Sequence, residues 1–154
     1  MSGDHIVEQH VHNIDVINWV LQAHPIKAVG MGGRQQRTGT EYGHIYDHFS
    51  VEFEYPAGIR VESLCRQMAN TYGRVGEYVV GNKGLSEPGA FITGPAAYKF
   101  EGNASNPYEQ EHADLIASIR AGSPLNEGKT IAESTMAAIM GRMSAYTGQE
   151  VTWD

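Results

Sequence analysis

The sequence predicts an α+β fold: a mostly antiparallel open sheet of about five or six strands, with helices packed on one face. Three observations support this class. A two-faced helical segment opens the chain, strand-like segments separated by glycine- and proline-bearing turns fill its middle, and two helical segments close it. Strands that follow one another before the helices return are typical of an α+β fold, because a parallel α/β fold alternates the two.

The first helix is predicted over residues 6–22, and His24-Pro25 ends it. One side of this helix is apolar. The other side carries residues at steps of four, three and four, the spacing that places side chains along one face of a helix. This set, called the polar stripe below, consists of Glu8, His12, Asp15 and Trp19.

Strands are expected at residues 25–31 and 47–55, and the second has the clearest alternation of apolar and polar residues. The turn at 56–58 returns the chain into a strand at 59–68, so the two pair as an antiparallel hairpin. A polar, glycine-rich loop at 32–43 separates the first two strands. Shorter strands are predicted at 77–80, 90–93 and 97–100.

Asn106-Pro107 is a strong helix start, and this helix is expected to continue to Ala121-Gly122. His112 shares its apolar phase, which favours a core or interface position over chemistry. A last helix is predicted from about Gly128 or Thr130 to Thr147, with a short strand at 151–153. Its expected buried residues are Ile131, Thr135, Ala138, Ile139, Met143 and Tyr146.

The length of 154 residues fits one domain, residues 1–154, with a single sizeable core. A formal net charge of −7 without a Lys/Arg run argues against nucleic acid as a partner. No apolar run reaches the roughly 18 residues of a membrane span, and no signal peptide is recognisable. Cys65 is the one cysteine and cannot form an intramolecular disulfide, which suits a reducing compartment such as the cytoplasm but does not establish one. The chain enters its first helix almost at once, so we expect the natural N-terminus to lie upstream.

One face of the predicted sheet has no helix to cover it. A second copy of the same sheet is the expected cover, which predicts a homodimer or homotetramer formed through the sheet face.

The polar stripe is a candidate for acid–base chemistry. A neutral imidazole at His12 is suited to removing a proton from a hydroxyl, and carboxylates at Glu8 and Asp15 are spaced to hold its tautomer. The alternative is a structural histidine that only makes hydrogen bonds. A metal site is not expected, because His10 lies on a different side of the helix from Glu8 and His12. The run Gly30 to Arg34 lacks the following helix that a phosphate-binding loop needs.

Three motifs together resemble one enzyme family. They are Glu8-Gln9-His10-Val11-His12-Asn13-Ile14-Asp15 with its following residues to Trp19, Gly30-Met31-Gly32-Gly33-Arg34-Gln35, and Tyr46-Asp47-His48-Phe49. The chain, including its end from Met140 to Trp153, resembles the C-terminal domain of the glucose–fructose oxidoreductase/inositol dehydrogenase (Gfo/Idh/MocA) family. The most specific match is the helix, where the family has an acid, three residues, a histidine, two residues and an aspartate.

The resemblance implies the substrate-binding and oligomerisation half of an NAD(P)-dependent oxidoreductase acting on sugars, inositols or related polyols. It implies that His12 is the general acid/base and Asp15 its polar neighbour. Glu8 stands where inositol dehydrogenases have an aspartate. The family's nucleotide-binding Rossmann half has no counterpart in this chain. The isolated chain is therefore expected neither to bind NAD or NADP tightly nor to turn over substrate.

Further substrate-site candidates lie in or beside the long loop and on the first helix. They are Arg34, Arg37, Tyr42, His44, Tyr46, His48 and Trp19. The alternative for the loop residues is solvation of a loop and a strand edge. A different function on the same fold also stays open, a non-catalytic sugar-binding or dimerisation module. A nucleotide-binding motif encoded upstream would favour the enzyme over the module.

Overall fold

The computed structural model describes residues 4–102 and 105–154. It divides the chain into two compact units, residues 1–75 with 130–154 and residues 76–129. The predicted α+β class with antiparallel strands is confirmed. The strands are divided between two four-stranded sheets, whereas the sequence predicted one sheet of about five or six strands.

The sheet of the first unit contains strands β1 (Lys27–Gly33), β2 (His48–Glu54), β3 (Arg60–Arg66) and β8 (Val151–Thr152). Its order is β3-β2-β1-β8, and all three pairings are antiparallel. The predicted hairpin of β2 and β3 is confirmed, and so is the short terminal strand. β2 buries Phe49, Val51 and Phe53, as its alternation predicts, because these side chains point to the face covered by helices.

The opening helical segment is two helices, α1 (His5–Glu8) and α2 (Val11–Leu21). The prediction of one helix over residues 6–22 is wrong at Gln9 and His10. Gln9 has φ −125° and ψ −45°, and the His10 amide donates to the His5 carbonyl. The His10 imidazole is hydrogen-bonded to Ser63 of β3. This contact between distant residues accompanies a break that local periodicity does not reveal.

Helix α4 (Gly128–Thr147) packs against the same sheet face through small residues. A Cβ atom at Gly141 would lie 2.9 Å from Cζ of Phe53, and one at Gly30 of β1 would lie 3.2 Å from the Gly141 carbonyl oxygen. At Gly141 the helix backbone therefore approaches the sheet too closely for a larger side chain. The predicted burial of Ile131 and Met143 is wrong, since they are 56% and 46% exposed. No described helix combines the length and apolar character of a membrane span.

The second unit contains strands β4 (Val79–Gly81), β5 (Gly84–Glu87), β6 (Phe91–Ile92) and β7 (Tyr98–Lys99), paired in that order, and helix α3 (Pro107–Arg120). The sequence missed β5 as a strand. The predicted start of α3 is confirmed, because the Asn106 side chain accepts a hydrogen bond from the Tyr108 amide. No residue of α3 is buried, so its apolar positions do not form a core within this unit.

Candidate functional site

The break in the opening segment divides the polar stripe between two helices. Glu8 ends α1, while His12, Asp15 and Trp19 belong to α2. The regular helical spacing therefore holds from His12 to Trp19 and is interrupted between Glu8 and His12. Glu8, His12 and Trp19 are exposed, Trp19 to 67%, whereas Asp15 is half-buried. The stripe thus presents an accessible imidazole beside a carboxylate that is held by the fold.

Asp15 is held by hydrogen bonds that connect three elements. The Ser134 hydroxyl of α4 donates to Oδ1 of Asp15 at 2.5 Å, and the Asn18 amide donates to Oγ of Ser134 at 3.1 Å. The Tyr55 hydroxyl, just after β2, donates to Oδ1 of Asn18 at 2.7 Å. The sequence did not indicate Ser134, because 119 positions separate it from Asp15 and nothing local marks their contact.

His10 is a structural residue that faces away from the stripe. Its Nε2 lies 2.8 Å from Oγ of Ser63 on β3. Burial, together with the nearby His5, lowers the pKa of His10 to about 4, so its ring is neutral at pH 7. Among residues 4–102 and 105–154, no three His, Cys, Asp or Glu side chains form a group that could hold a metal ion.

His5, at the start of α1, is a partly buried histidine that the sequence did not indicate. Burial lowers its pKa, the charge of Glu8 acts in the opposite direction, and the charge of Arg37 lowers it further. Glu8 from α1 and Arg37 from the long loop therefore both lie within electrostatic reach of one imidazole. The fold thus brings one loop candidate close to the helix that carries Glu8.

The long loop after β1 is anchored by Asp47, whose side chain is completely buried. Its Oδ2 accepts hydrogen bonds from the amides of Gln35, Gln36 and Arg37 at 2.8, 2.7 and 2.9 Å. Its Oδ1 lies 2.8 Å from Nδ1 of His48. Burial alone would raise the pKa of Asp47, but these hydrogen bonds hold it well below its usual range. A charged carboxylate therefore fixes the start of the loop.

The two arginine candidates also hold the loop together. Nε and Nη2 of Arg34 donate to the Arg37 carbonyl at 3.1 and 2.9 Å. Nε of Arg37 donates to the Gln67 carbonyl at 2.9 Å, and its guanidinium lies 5.3 Å from the ring centroid of Tyr42. Tyr42 is 40% exposed. Both arginine side chains are therefore bonded to backbone carbonyls, and the Arg37 guanidinium lies over the ring of Tyr42.

The remaining loop candidates have different surroundings. The His44 side chain is exposed, and its carbonyl accepts a hydrogen bond from the Tyr146 hydroxyl. The Tyr46 ring stacks on Tyr146 with 3.9 Å between centroids and packs against the core. His48 lies on the open sheet face, where a Cβ at Gly33 would be 3.3 Å from its ring. His48 is therefore on the opposite side of the sheet from the stripe.

An ion pair between a buried aspartate and a partly exposed arginine connects the start of α1 to α4. Asp4 has no exposed surface, and Nε of Arg142 lies 3.2 Å from its Oδ2. The Arg142 guanidinium lies 4.4 Å from the ring centroid of Tyr146. Burial and the neighbouring Asp4 raise the pKa of Tyr146 to about 12. This cluster fixes the helix that carries Glu8 against the rest of the unit.

Two other residues considered for chemistry show no reactive setting. Burial raises the pKa of Cys65 to about 12, so its thiol stays protonated and is a poor nucleophile. His112 is exposed on α3, and its Nδ1 lies 2.6 Å from the Tyr108 carbonyl. A core role for His112 within its own unit is therefore wrong.

No protein-family model and no curated protein sequence matches the chain. Solved structures do match. Myo-inositol 2-dehydrogenase from Lactobacillus plantarum superposes with a TM-score of 0.74 at 16% identity, over 97% of this chain and 48% of its own. Scyllo-inositol dehydrogenase from Lactobacillus casei was solved with NAD(H) and scyllo-inositol. It superposes with a TM-score of 0.73 at 15% identity, over 99% of this chain and 49% of its own. UDP-N-acetylglucosamine 3-dehydrogenase from Acidithiobacillus ferrooxidans superposes with a TM-score of 0.73 at 12% identity, over 89% of this chain and 45% of its own.

The chain spans about half the length of these solved proteins. The similarity covers nearly all of this chain, including both units and the helices that carry the polar stripe. It agrees with the fold that the sequence motifs implied. The chain therefore has the fold of about half of a Gfo/Idh/MocA-type oxidoreductase, the group to which these inositol dehydrogenases belong.

Proposed function

We propose that the chain is the substrate-binding and oligomerisation half of a Gfo/Idh/MocA-family NAD(P)-dependent oxidoreductase. Its substrate would be a hydroxyl group of a sugar, an inositol or a related polyol. The main support is the fold match over nearly the whole chain to inositol dehydrogenases, one of them solved with NAD(H) and scyllo-inositol. The polar stripe adds a second argument, because it supplies an exposed histidine next to a fixed carboxylate.

In this proposal His12 is the general acid/base. When a secondary alcohol is oxidised, its carbon loses a hydride and its oxygen loses a proton. A nicotinamide cofactor, bound elsewhere in the intact protein, would supply the hydride acceptor. His12 takes the hydroxyl proton, for which a neutral, accessible imidazole is suited. Asp15, held by Ser134, is the fixed polar neighbour in the site. The charges of Glu8 and Arg37 both act on His5 of α1.

The described residues of this chain do not fit the pyrophosphate of a dinucleotide. Gly30 to Gly33 lie in β1, and the chain continues into the loop held by Asp47 instead of a helix N-terminus. Both sheets are antiparallel, unlike the parallel units that bind dinucleotides. We therefore assign cofactor binding to a part of the polypeptide outside this chain. Calorimetry that detects micromolar NAD affinity for residues 1–154 would contradict this assignment.

The first test removes the proposed base in the intact protein. His12→Ala is expected to lower kcat by roughly 10² to 10⁴, the range for loss of a positioned acid/base. The readout is NADH formation with myo-inositol and a panel of other polyols and sugars.

His112→Ala is the matched control, because it removes an exposed helical histidine from the other unit. It should leave kcat unchanged. Equal rates for His12→Ala and wild type would exclude His12 from the reaction.

We also propose that the protein forms a homodimer or homotetramer through the open face of the first unit's sheet. This face carries three large apolar side chains, Val29, Met31 and Leu64, which are 52%, 71% and 68% exposed. The register places Met31, Ser50 and Leu64 side by side across β1, β2 and β3. A second copy of the same sheet would remove this apolar band from water.

Sedimentation of the intact protein tests the interface. Leu64→Arg is expected to shift the protein to smaller species, because it places a charge in the apolar band. Val80→Arg, at an 81% exposed position of the second unit, is the control and should leave the oligomeric state unchanged. A wild-type monomer at high micromolar concentration would refute the proposal.

A further inference from the structure

The carboxylate of Asp15 is the end of a hydrogen-bonded chain that begins in the core. Tyr55 is 1% exposed, Asn18 7% and Ser134 2%, so three of the four members are buried. The distances are 2.7 Å from Tyr55 to Asn18, 3.1 Å from Asn18 to Ser134 and 2.5 Å from Ser134 to Asp15. The members come from the end of β2, from α2 and from α4, all within the first unit.

The donor direction of this chain follows from its last member. The Ser134 hydroxyl has a single proton, and it donates that proton to Oδ1 of Asp15. The oxygen of Ser134 is then an acceptor, and the Asn18 atom facing it must be the NH₂ group. The amide oxygen of Asn18 therefore faces Tyr55, whose hydroxyl must donate.

The Tyr55 hydroxyl is suited to be the first donor of this hydrogen-bonded chain. Burial raises the pKa of Tyr55, so the group remains a protonated donor throughout the physiological pH range. Each buried polar group in the chain has a partner, and reversing any one bond would leave two acceptors or two donors facing each other. The network therefore specifies one orientation for the Ser134 hydroxyl.

We propose that Ser134 is a positioning residue for Asp15, and that Asn18 and Tyr55 fix the direction of its hydroxyl. This inference rests on the proposed function, in which Asp15 is the polar neighbour of His12. A hydrogen bond from a hydroxyl to a carboxylate is of the stronger, charge-assisted kind, and it limits the rotamers that a half-buried aspartate can adopt. Ser134 thereby holds Asp15 in one place beside the substrate without touching the substrate itself.

The chain offers a closely matched control in Ser144. It is also a fully buried serine of α4 with two hydrogen bonds, accepting from the Gly30 amide and donating to the Gln149 carbonyl. Ser144→Ala and Ser134→Ala therefore remove the same atoms from similar settings, and only Ser134 contacts Asp15. Ser134→Thr keeps a hydroxyl and is the conservative variant.

The experiment uses the intact protein and two readouts. The first is the ¹³C resonance of the Asp15 carboxyl, which should shift in Ser134→Ala and stay in place in Ser144→Ala. The second is turnover of myo-inositol, or of another polyol that proves active, with NAD. Ser134→Ala should lower kcat roughly tenfold or more with little change in KM, as expected when a supporting residue is lost. Ser134→Thr should restore most of the rate.

The outcomes separate this inference from the proposed function. An unchanged Asp15 resonance in Ser134→Ala, or equal losses of kcat in Ser134→Ala and Ser144→Ala, would overturn the role of Ser134. Absence of turnover with every polyol in the wild-type protein would instead refute the proposed function. The carboxyl resonance of Asp15 would then still decide whether Ser134 holds Asp15. An unchanged resonance in Ser134→Ala would refute the positioning role of Ser134.

Discussion

Replacing Asp47 by alanine should release the start of the long loop. The change removes one carboxylate oxygen that accepts from three consecutive amides, at 2.7 to 2.9 Å, and a second that pairs with His48. Because Asp47 is completely buried, its removal leaves the three amides without the acceptor that they share. Arg34 and Arg37, two of the substrate-site candidates, lie in the released segment.

The expected loss follows from the number and type of these hydrogen bonds. A hydrogen bond to a charged group contributes about 1.5–3 kcal/mol net. Three amides share one oxygen, and water can reach a freed surface loop, so the contributions do not simply add. We expect Asp47→Ala to lower the free energy of unfolding by about 3 kcal/mol, and Asp47→Asn, which keeps an acceptor, by about 1 kcal/mol.

Urea unfolding measures the stability, and limited trypsin digestion measures the loop. In Asp47→Ala, cleavage after Arg34 and Arg37 should become much faster than in the wild type. His48→Ala is the control, because it removes one hydrogen bond of the carboxylate and leaves the three amide bonds in place. If Asp47→Ala and His48→Ala lose equal stability and are cleaved at equal rates, the amide bonds do not anchor the loop.

Two further predictions concern the core. The pKa of His10 is lowered from 6.5 to about 4, so between these values the unfolded chain binds a proton that the folded chain does not. The free energy of unfolding should be highest above pH 6.5 and should fall on acidification by up to about 1.4 kcal/mol per pH unit. Urea unfolding at a series of pH values measures this slope, and an equal slope for His10→Gln would contradict the prediction. Gly141→Leu should destabilise by more than about 2 kcal/mol, because even its Cβ meets Phe53. Ala132→Leu, at an exposed position of α4, should cost little in urea unfolding, and equal losses would contradict the close approach of α4 to the sheet.

Where the fold was predictable, the determining signal was local. β2 alternates apolar and polar residues, and its hairpin with β3 follows from the turn at Pro56–Gly58. Helix α3 begins at a sequence-coded cap, Asn106 followed by proline. The buried face of α4 was predicted correctly at Ala138 but wrongly at Ile131 and Met143, because amphipathic reasoning selects large apolar residues. The close approach to the sheet requires small ones such as Gly141.

The candidate site divides in a similar way. The spacing of His12, Asp15 and Trp19 is a property of one helix and was readable from the chain. The roles of Asp47 and Ser134 were not, because each acts on residues far from it in sequence or through backbone groups that carry no sequence signature.

The sequence by itself determined the α+β class, the strand pattern around β2 and the motif that resembles an oxidoreductase family. Only the tertiary structure decided that the opening segment breaks at Gln9 and His10, that His48 lies on the opposite sheet face from the polar stripe, and that Ser134 holds Asp15. The physical reason is the range of the interactions. Periodicity and caps act within a few residues, whereas packing and buried hydrogen bonds join groups that only the folded chain brings together.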